Sequence, residues 1–142
     1  MKVFTSAQIK NIEDATVLRG ISKFRLMENA GSAAARVIRE RFDLTAKKTV
    51  VVAGNGNNGG DGFALACILQ AENIDCTVFT LSEKQSADSA FYAAKAAELG
   101  VKVKPFAEEC LNGFSTVVDC LLGTGFQGGL RPAYRAAIEA IN

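Results

Sequence analysis

One stretch in the middle of the chain combines residue types suited to holding an anion: Gly54-Asn55-Gly56-Asn57-Asn58-Gly59-Gly60-Asp61-Gly62. Gly54, Gly56 and Gly59 have G-x-G-x-x-G spacing, directly after the β-branched run Thr49-Val50-Val51-Val52-Ala53. Glycine permits positive φ and lets backbone amides approach a phosphate with no Cβ in the way. The helix that follows turns the positive end of its dipole toward the same anion. Alone the motif is weak, and a tight turn with no ligand is the plain alternative; the strand-loop-helix setting adds to its value. A second glycine-rich loop, Gly123-Thr124-Gly125, follows the run Ser115 to Cys120. A dinucleotide fingerprint would add an acid about 20 residues on, at the end of the second strand, for the ribose hydroxyls. Asp75 has the spacing but falls at the start of that strand, and Glu83 lies just past its end, so an ordinary dehydrogenase does not follow.

Other polar residues each carry two readings. Asp61 stands at the start of a predicted helix, where a carboxylate caps free amides or serves as a proton donor. Asp119 ends a predicted buried strand, where a bare charge is costly, so a cation or several donor amides should accompany it. Asn29 is a contact at the site mouth or a helix-packing residue. Lys102 and Lys104 read as a solvated strand face. The chain has no histidine, which removes every Ser-His and Cys-His pairing. Cys67, Cys76, Cys110 and Cys120 form no C-x-x-C pair, so a zinc site is not expected.

The elements that position these residues follow from periodicity. Thr5 or Ser6 caps a first helix carrying Ile9, Ile12 and Leu18, ending near Gly20. Ser22 precedes a longer helix with an apolar stripe of Leu26, Ala30, Ala33 and Val37, widened by Met27, Ala34 and Ile38. After the first strand, a helix is expected from about Asp61 to Glu72, a strand over Cys76 to Leu81, and an alanine-rich helix from Ser86 to Leu99 stopped by Gly100. Val101 to Lys104 is a weaker strand nearer an edge, Ser115 to Cys120 a buried strand, and a final helix starts near Pro132. Strands alternating with helices predict an α/β fold of Rossmann-like, doubly wound type: a mainly parallel sheet, helices on both faces, two helices in front. Ligands in such sheets sit beyond the carboxyl ends of the strands, where strand order reverses.

The 142 residues are enough for one domain, burying roughly two thirds of the unfolded surface. With 49% hydrophobic and 22% charged residues the chain reads as globular. Lysine and arginine number 16 against 15 acids, which gives no basic stripe for nucleic acid. No run approaches the roughly 18 apolar residues that span a bilayer, and Met1-Lys2-Val3-Phe4-Thr5 opens no signal peptide. The expectation is a cytoplasmic protein with reduced, mostly buried thiols.

The segment Asn57-Asn58-Gly59-Gly60-Asp61-Gly62-Phe63 resembles the N-N-G-G-D-G signature of the NAD(P)H-hydrate epimerase family. Leu26-Met27-Glu28-Asn29-Ala30-Gly31 is similar to that family's N-terminal helix motif, and Asp119-Cys120-Leu121-Leu122-Gly123-Thr124-Gly125-Phe126 to its D-x-L-x-G-T-G loop. The resemblance runs over nearly the whole chain, with the motifs in order. It implies an isomerase that interconverts the R and S forms of NADHX and NADPHX, the hydrates of NADH and NADPH, so that a separate or fused dehydratase can repair the S form. It implies that Asn57, Asn58, Gly59, Gly60 and Asp61 contact the hydrated dinucleotide from one side, and Gly123-Thr124-Gly125-Phe126-Gln127-Gly128-Gly129 from the other. It also implies a potassium ion held in part by Asn58 and Asp119, and a homodimer. An amide and a carboxylate oxygen are hard donors, suited to a hard cation. Asp61 is the candidate acid in the reaction. Members of the family continue past the last helix into a strand bearing D-x-P-S-G; this sequence ends at Ala140-Ile141-Asn142. Residues 1–142 therefore read as an epimerase domain truncated at its C-terminus, either a fragment of a longer protein or a degenerate member, which would leave a sheet edge open. A non-catalytic binding or scaffold module of the same fold and an NAD(P)-dependent oxidoreductase are the competing readings.

Overall fold

The computed structural model describes residues 3–42, 48–82 and 84–142. Glu83, the alternative ribose-binding acid, lies outside the described residues. Two helices come first, α1 (Ser6–Leu18) and α2 (Lys23–Arg41). Thr5 caps α1 in a reciprocal box with Gln8, and the Ser22 side chain accepts from the Arg25 amide to start α2. Then come β1 (Thr49–Ala53), α3 (Asn57–Ala71), β2 (Cys76–Thr80), α4 (Ala87–Glu98), β3 (Lys102–Pro105), a single 3-10 turn at Glu108–Leu111, β4 (Thr116–Cys120) and α5 (Pro132–Ile141). Ser86 caps α4. The chain leaves α4 through Gly100, whose φ of +80° suits a residue without Cβ.

The strands form one parallel sheet in the order β3-β2-β1-β4. The chain steps outward from β1 through β2 to β3, then returns to the other side of β1 as β4. The switch point thus lies between β1 and β4, whose last residues Ala53 and Cys120 are paired. Every residue of β1 is buried, as expected for a strand inside a parallel sheet.

Helices cover the two faces unequally. The thick side packs α2, α3 and α4 over Val51, Ala53, Cys76, Val78 and Cys120. At its centre, α3 buries Phe63, Ala64, Leu65, Ala66, Cys67 and Leu69, so it is enclosed on nearly all sides. The thin side is α5, whose Tyr134 and Ala137 meet Val52 and Leu121. Two expectations need correction. The strand over 116–120 is an edge strand in which Val117 and Asp119 are exposed, because only α5 and the 3-10 turn lie on that face. The buried stripe of α2 is Met27, Gly31, Ala35 and Ile38, while Ala30, Ala33 and Val37 face water. Gly31 sets that stripe, since a Cβ there would lie 2.8 Å from the Leu65 amide nitrogen of α3. A helix can approach so closely only where the side chain is missing.

Candidate functional site

Loop 1, between β1 and α3, is tied directly to the tip of β4. The Gly54 amide donates to the Cys120 carbonyl at 3.0 Å. A Cβ on Gly54 would collide with the Leu121 carbonyl, and one on Gly59 with the Gly54 carbonyl. A Cβ on Gly62 would lie 2.8 Å from Cγ1 of Val51 and 3.0 Å from Cys120. These glycines serve close packing of strand tip, loop and helix. The positive-φ role expected of the motif is absent, since the positive-φ glycines among the described residues are Gly20, Gly100, Gly113 and Gly128. Gly56 is different. It is exposed at the N-cap of α3, has open space where a Cβ would go, and leaves the first turn with no side-chain cap.

Helix α3 begins at Asn57, earlier than the expected start at Asp61. Asp61 therefore sits past the first turn and caps nothing; the N-cap is Gly56. Among the described residues no hydrogen bond reaches the half-buried Asp61 carboxylate. Burial first, and then the charge of Glu13 on α1, raise its pKa from 3.8 to about 6. The Cys120 thiol nearby is pushed up to about 12, by burial first and then by the charges of Asp61 and Asp119. It is a protonated core thiol and a poor nucleophile at neutral pH.

The asparagines of loop 1 reach three other elements. Asn58 Nδ2 donates to the Leu122 carbonyl at 3.2 Å, fastening the start of α3 to loop 2. Beside it, the Leu121 amide donates to Asp119 Oδ1 at 2.8 Å. Asn58 and Asp119 are thus anchored to adjacent residues of one segment. Asn57 Oδ1 accepts from the Ser86 hydroxyl at 3.0 Å, and the Ser86 amide donates to the Asn55 carbonyl at 2.8 Å. The Tyr134 hydroxyl donates to Asn55 Oδ1 at 2.9 Å and accepts from the Asn55 amide at 3.1 Å. Sequence reasoning missed Tyr134, Arg131 and the second role of Ser86. The available signal was a tyrosine on the apolar face of the last helix, since a buried phenol needs a polar partner.

Loop 2 stands open. Gly123, Thr124, Gly125, Phe126, Gln127, Gly128 and Gly129 are all exposed, with a turn closed by the Phe126 amide on the Gly123 carbonyl at 3.1 Å. Phe126 is 45% exposed, and its ring stands on the open side of the loop. Asn29 is exposed on α2, so it buries no helix contact. Asp75 is at the opposite end of β2 from the loops and pairs with Lys102 at 3.4 Å, which removes it as a ribose ligand. Lys104 is exposed, as a solvated strand face requires. A cleft of about 590 Å³ between Thr80–Ser82, Lys104–Glu108 and the Ala133 and Ala136 side of α5 includes no residue of either loop.

Strand order, the switch point and two mutually fastened loops define the class: a doubly wound α/β domain with its candidate site at the carboxyl edge of β1 and β4. Comparison with known proteins then gives the family. Residues 23–142 match the family described as YjeF-related protein N-terminus. The chain is 31% identical over 143 residues to the NAD(P)H-hydrate epimerase of Limosilactobacillus reuteri, covering 99% of this chain and 68% of that protein. It is 35% identical over 142 residues to the bifunctional NAD(P)H-hydrate repair enzyme Nnr of Coxiella burnetii, covering 99% of this chain and 29% of that one. The crystal structure of yeast ynu0 (YNL200c) superposes with a TM-score of 0.87 at 25% identity, over 99% of this chain and 65% of the yeast chain. This chain belongs to the YjeF-related N-terminal family.

Proposed function

We propose that this chain epimerises the R and S hydrates of NADH and NADPH as one step of nicotinamide nucleotide repair. The observation that carries the reading is the fastening of the two loops across the β1–β4 switch point beside a carboxyl group that titrates near neutrality. The names of the L. reuteri and C. burnetii relatives supply the substrate class. The uncapped first turn of α3 offers free amides to the dinucleotide's pyrophosphate, and Gly56 lets it come close. Loop 2 closes from the other side, with Phe126 against the nicotinamide half. A site at the loops agrees with where ligands bind open parallel sheets, because the strand order reverses between β1 and β4.

The chemistry asks little of the protein. In the hydrate the hydroxyl-bearing carbon is bonded to the ring nitrogen. The nitrogen lone pair pushes out the hydroxyl while the protonated Asp61 carboxyl donates to the departing oxygen, giving water, a planar iminium and a carboxylate. Water then adds to the opposite face and loses its extra proton to solvent, while the Asp61 carboxylate regains a proton from solvent. A group titrating at about 6 holds a useful share of both forms at neutral pH.

The donor set fits potassium. Among the described residues no three His, Cys, Asp or Glu side chains converge, so an ion here would draw on one carboxylate plus amide and carbonyl oxygens. With Nδ2 bonded to Leu122, the Asn58 amide oxygen accepts from none of the described residues, and neither does the second carboxylate oxygen of Asp119. Potassium held by Asn58 and Asp119 would supply a fixed positive charge between the loops. We further propose a cytoplasmic location, a homodimer, and action alongside a dehydratase, separate or in the same polypeptide. No described helix is long and apolar enough to cross a membrane. The test is direct: pure S hydrate of NADH is incubated with the chain in potassium buffer, and the R form is followed by chromatography. Interconversion well above the spontaneous rate is expected; the spontaneous rate alone would sink the proposal.

A further inference from the structure

The hydrogen bonds around Asn55 have no counterpart in the motifs that mark the family. Tyr134 lies in the first turn of α5, and its ring is 4% exposed, packed in the thin-side core with Val52, Leu121 and Ala137. Its hydroxyl uses both of its functions on one residue, donating to Asn55 Oδ1 at 2.9 Å and accepting from the Asn55 amide at 3.1 Å. The position is crowded, since a Cβ on Gly54 would lie 3.2 Å from the same hydroxyl. Arg131 closes the cluster from outside. Its guanidinium stacks 4.6 Å from the Tyr134 ring centre, and Nη2 donates to Asn55 Oδ1 at 3.4 Å.

We propose that Tyr134 is a positioning residue for the dinucleotide site: through Asn55 it sets the backbone entering α3, and so aims the free amides of the first turn. Asn55 immediately precedes Gly56, the N-cap. Loop 2 runs directly into α5, so the helix that ends one loop grips the start of the other. At the far end of loop 2 the same coupling is made by Asn58 and the Leu122 carbonyl. The two loops are thereby held in one register, with Tyr134 at one end and Asn58 at the other. Asp61 lies beyond the first turn, where Gly62 packs α3 against Val51 and Cys120, in the core on the opposite face from Tyr134. Loss of the hydroxyl should therefore weaken substrate binding and spare the chemical step.

This inference rests on the epimerase reading, and Tyr134→Phe tests it because the ring that fills the core is kept. KM for the hydrated dinucleotide should rise about tenfold, the effect of misaimed amide hydrogen bonds worth about 1.4 kcal/mol, with kcat within about twofold of wild type. Amide hydrogen exchange should quicken at Asn55, whose amide donates to the hydroxyl, and at Ser86, whose amide donates to the Asn55 carbonyl, and stay unchanged in β1 and β2. A merely structural tyrosine would lower the melting temperature with KM and loop exchange unmoved, and that result overturns the proposal, as does a fall in kcat at constant KM. Should wild type itself turn over nothing, the epimerase reading falls, and exchange alone decides the positioning role: quickening at both Asn55 and Ser86 supports it, and quickening at Asn55 alone or nowhere refutes it.

Discussion

Replacing Asp61 by asparagine should make the protein more stable at pH 8 while stopping its reaction. The carboxylate is half-buried on α3 with no hydrogen bond from the described residues, and burial is the larger cause of its raised pKa, ahead of Glu13. A carboxyl that titrates higher in the fold than in the unfolded chain favours folding in acid. Its contribution is full below about 3.8 and is lost as pH rises through about 6. The difference between 3.8 and about 6 corresponds to at most about 3 kcal/mol. Water reaching the group screens this to roughly 1–2 kcal/mol. Asparagine has nearly the same shape and carries no charge, so it escapes the penalty at high pH. The expected gain at pH 8 is roughly 3–8 °C in melting temperature for a domain of this size, shrinking to nothing near pH 3.5. Epimerisation should fall by about 100-fold or more, as for loss of a general acid. Thermal melts of both proteins from pH 3.5 to 8, with hydrate turnover measured beside them, decide it. A variant no more stable than wild type at pH 8 would refute the desolvation reasoning; a more stable variant with full activity would refute the catalytic assignment alone.

Other consequences are as specific. Asp119→Ala should abolish any difference between potassium and lithium in the thermal shift produced by NADPH, which for wild type should reach roughly 2.7 kcal/mol in potassium at about 100 times the dissociation constant; a surviving difference places the ion elsewhere. Gly56→Ala should leave the melting temperature unchanged, since open space receives the new Cβ, yet weaken nucleotide binding about tenfold or more by calorimetry, the scale of about one lost charge-assisted hydrogen bond. Gly59→Ala should instead destabilise by about 1–3 kcal/mol in denaturant melts, because its Cβ would meet the Gly54 carbonyl. Thr116→Val should stabilise by about 1 kcal/mol with activity intact, because the Thr116 hydroxyl is buried with no partner among the described residues, at the far end of the sheet from the loops.

Strand positions, the caps at Thr5 and Ser22, and the stop at Gly100 were readable because each depends on residues close in sequence. The start of α3 was not. Asn57, Asn58, Gly59 and Gly60 are poor helix formers, yet the missing side chains of Gly59 and Gly60 let α3 lie against the Gly54 carbonyl and Met27, and the two asparagines bond to Ser86 and Leu122. The same cause hid the true stripe of α2, which centres on Gly31, a residue that no hydrophobicity pattern counts. The glycines of loop 1 were visible, but their purpose was misjudged: packing accounts for Gly54, Gly59 and Gly62, and only Gly56 is left open to a ligand. Asp119 was expected to be buried and is exposed, because periodicity within a strand cannot tell how thinly its outer face is covered. Tyr134 lies 79 positions from Asn55, beyond the reach of any local rule. The juxtaposition of the two loops, by contrast, follows from strand alternation and the switch-point rule.

The central claim is that both loops hold one dinucleotide at the tips of β1 and β4. Nuclear magnetic resonance of the isotope-labelled chain during titration with NADPH in potassium buffer tests it most directly. If both loops hold one ligand, the amides of Gly56 to Gly59 and of Gly123 to Gly129 shift together along a single binding curve, while those around Asp75 and Lys102 stay still. Shifts confined to one loop, two unrelated curves, or a response centred on the cleft at Lys104 and Phe106 would contradict it.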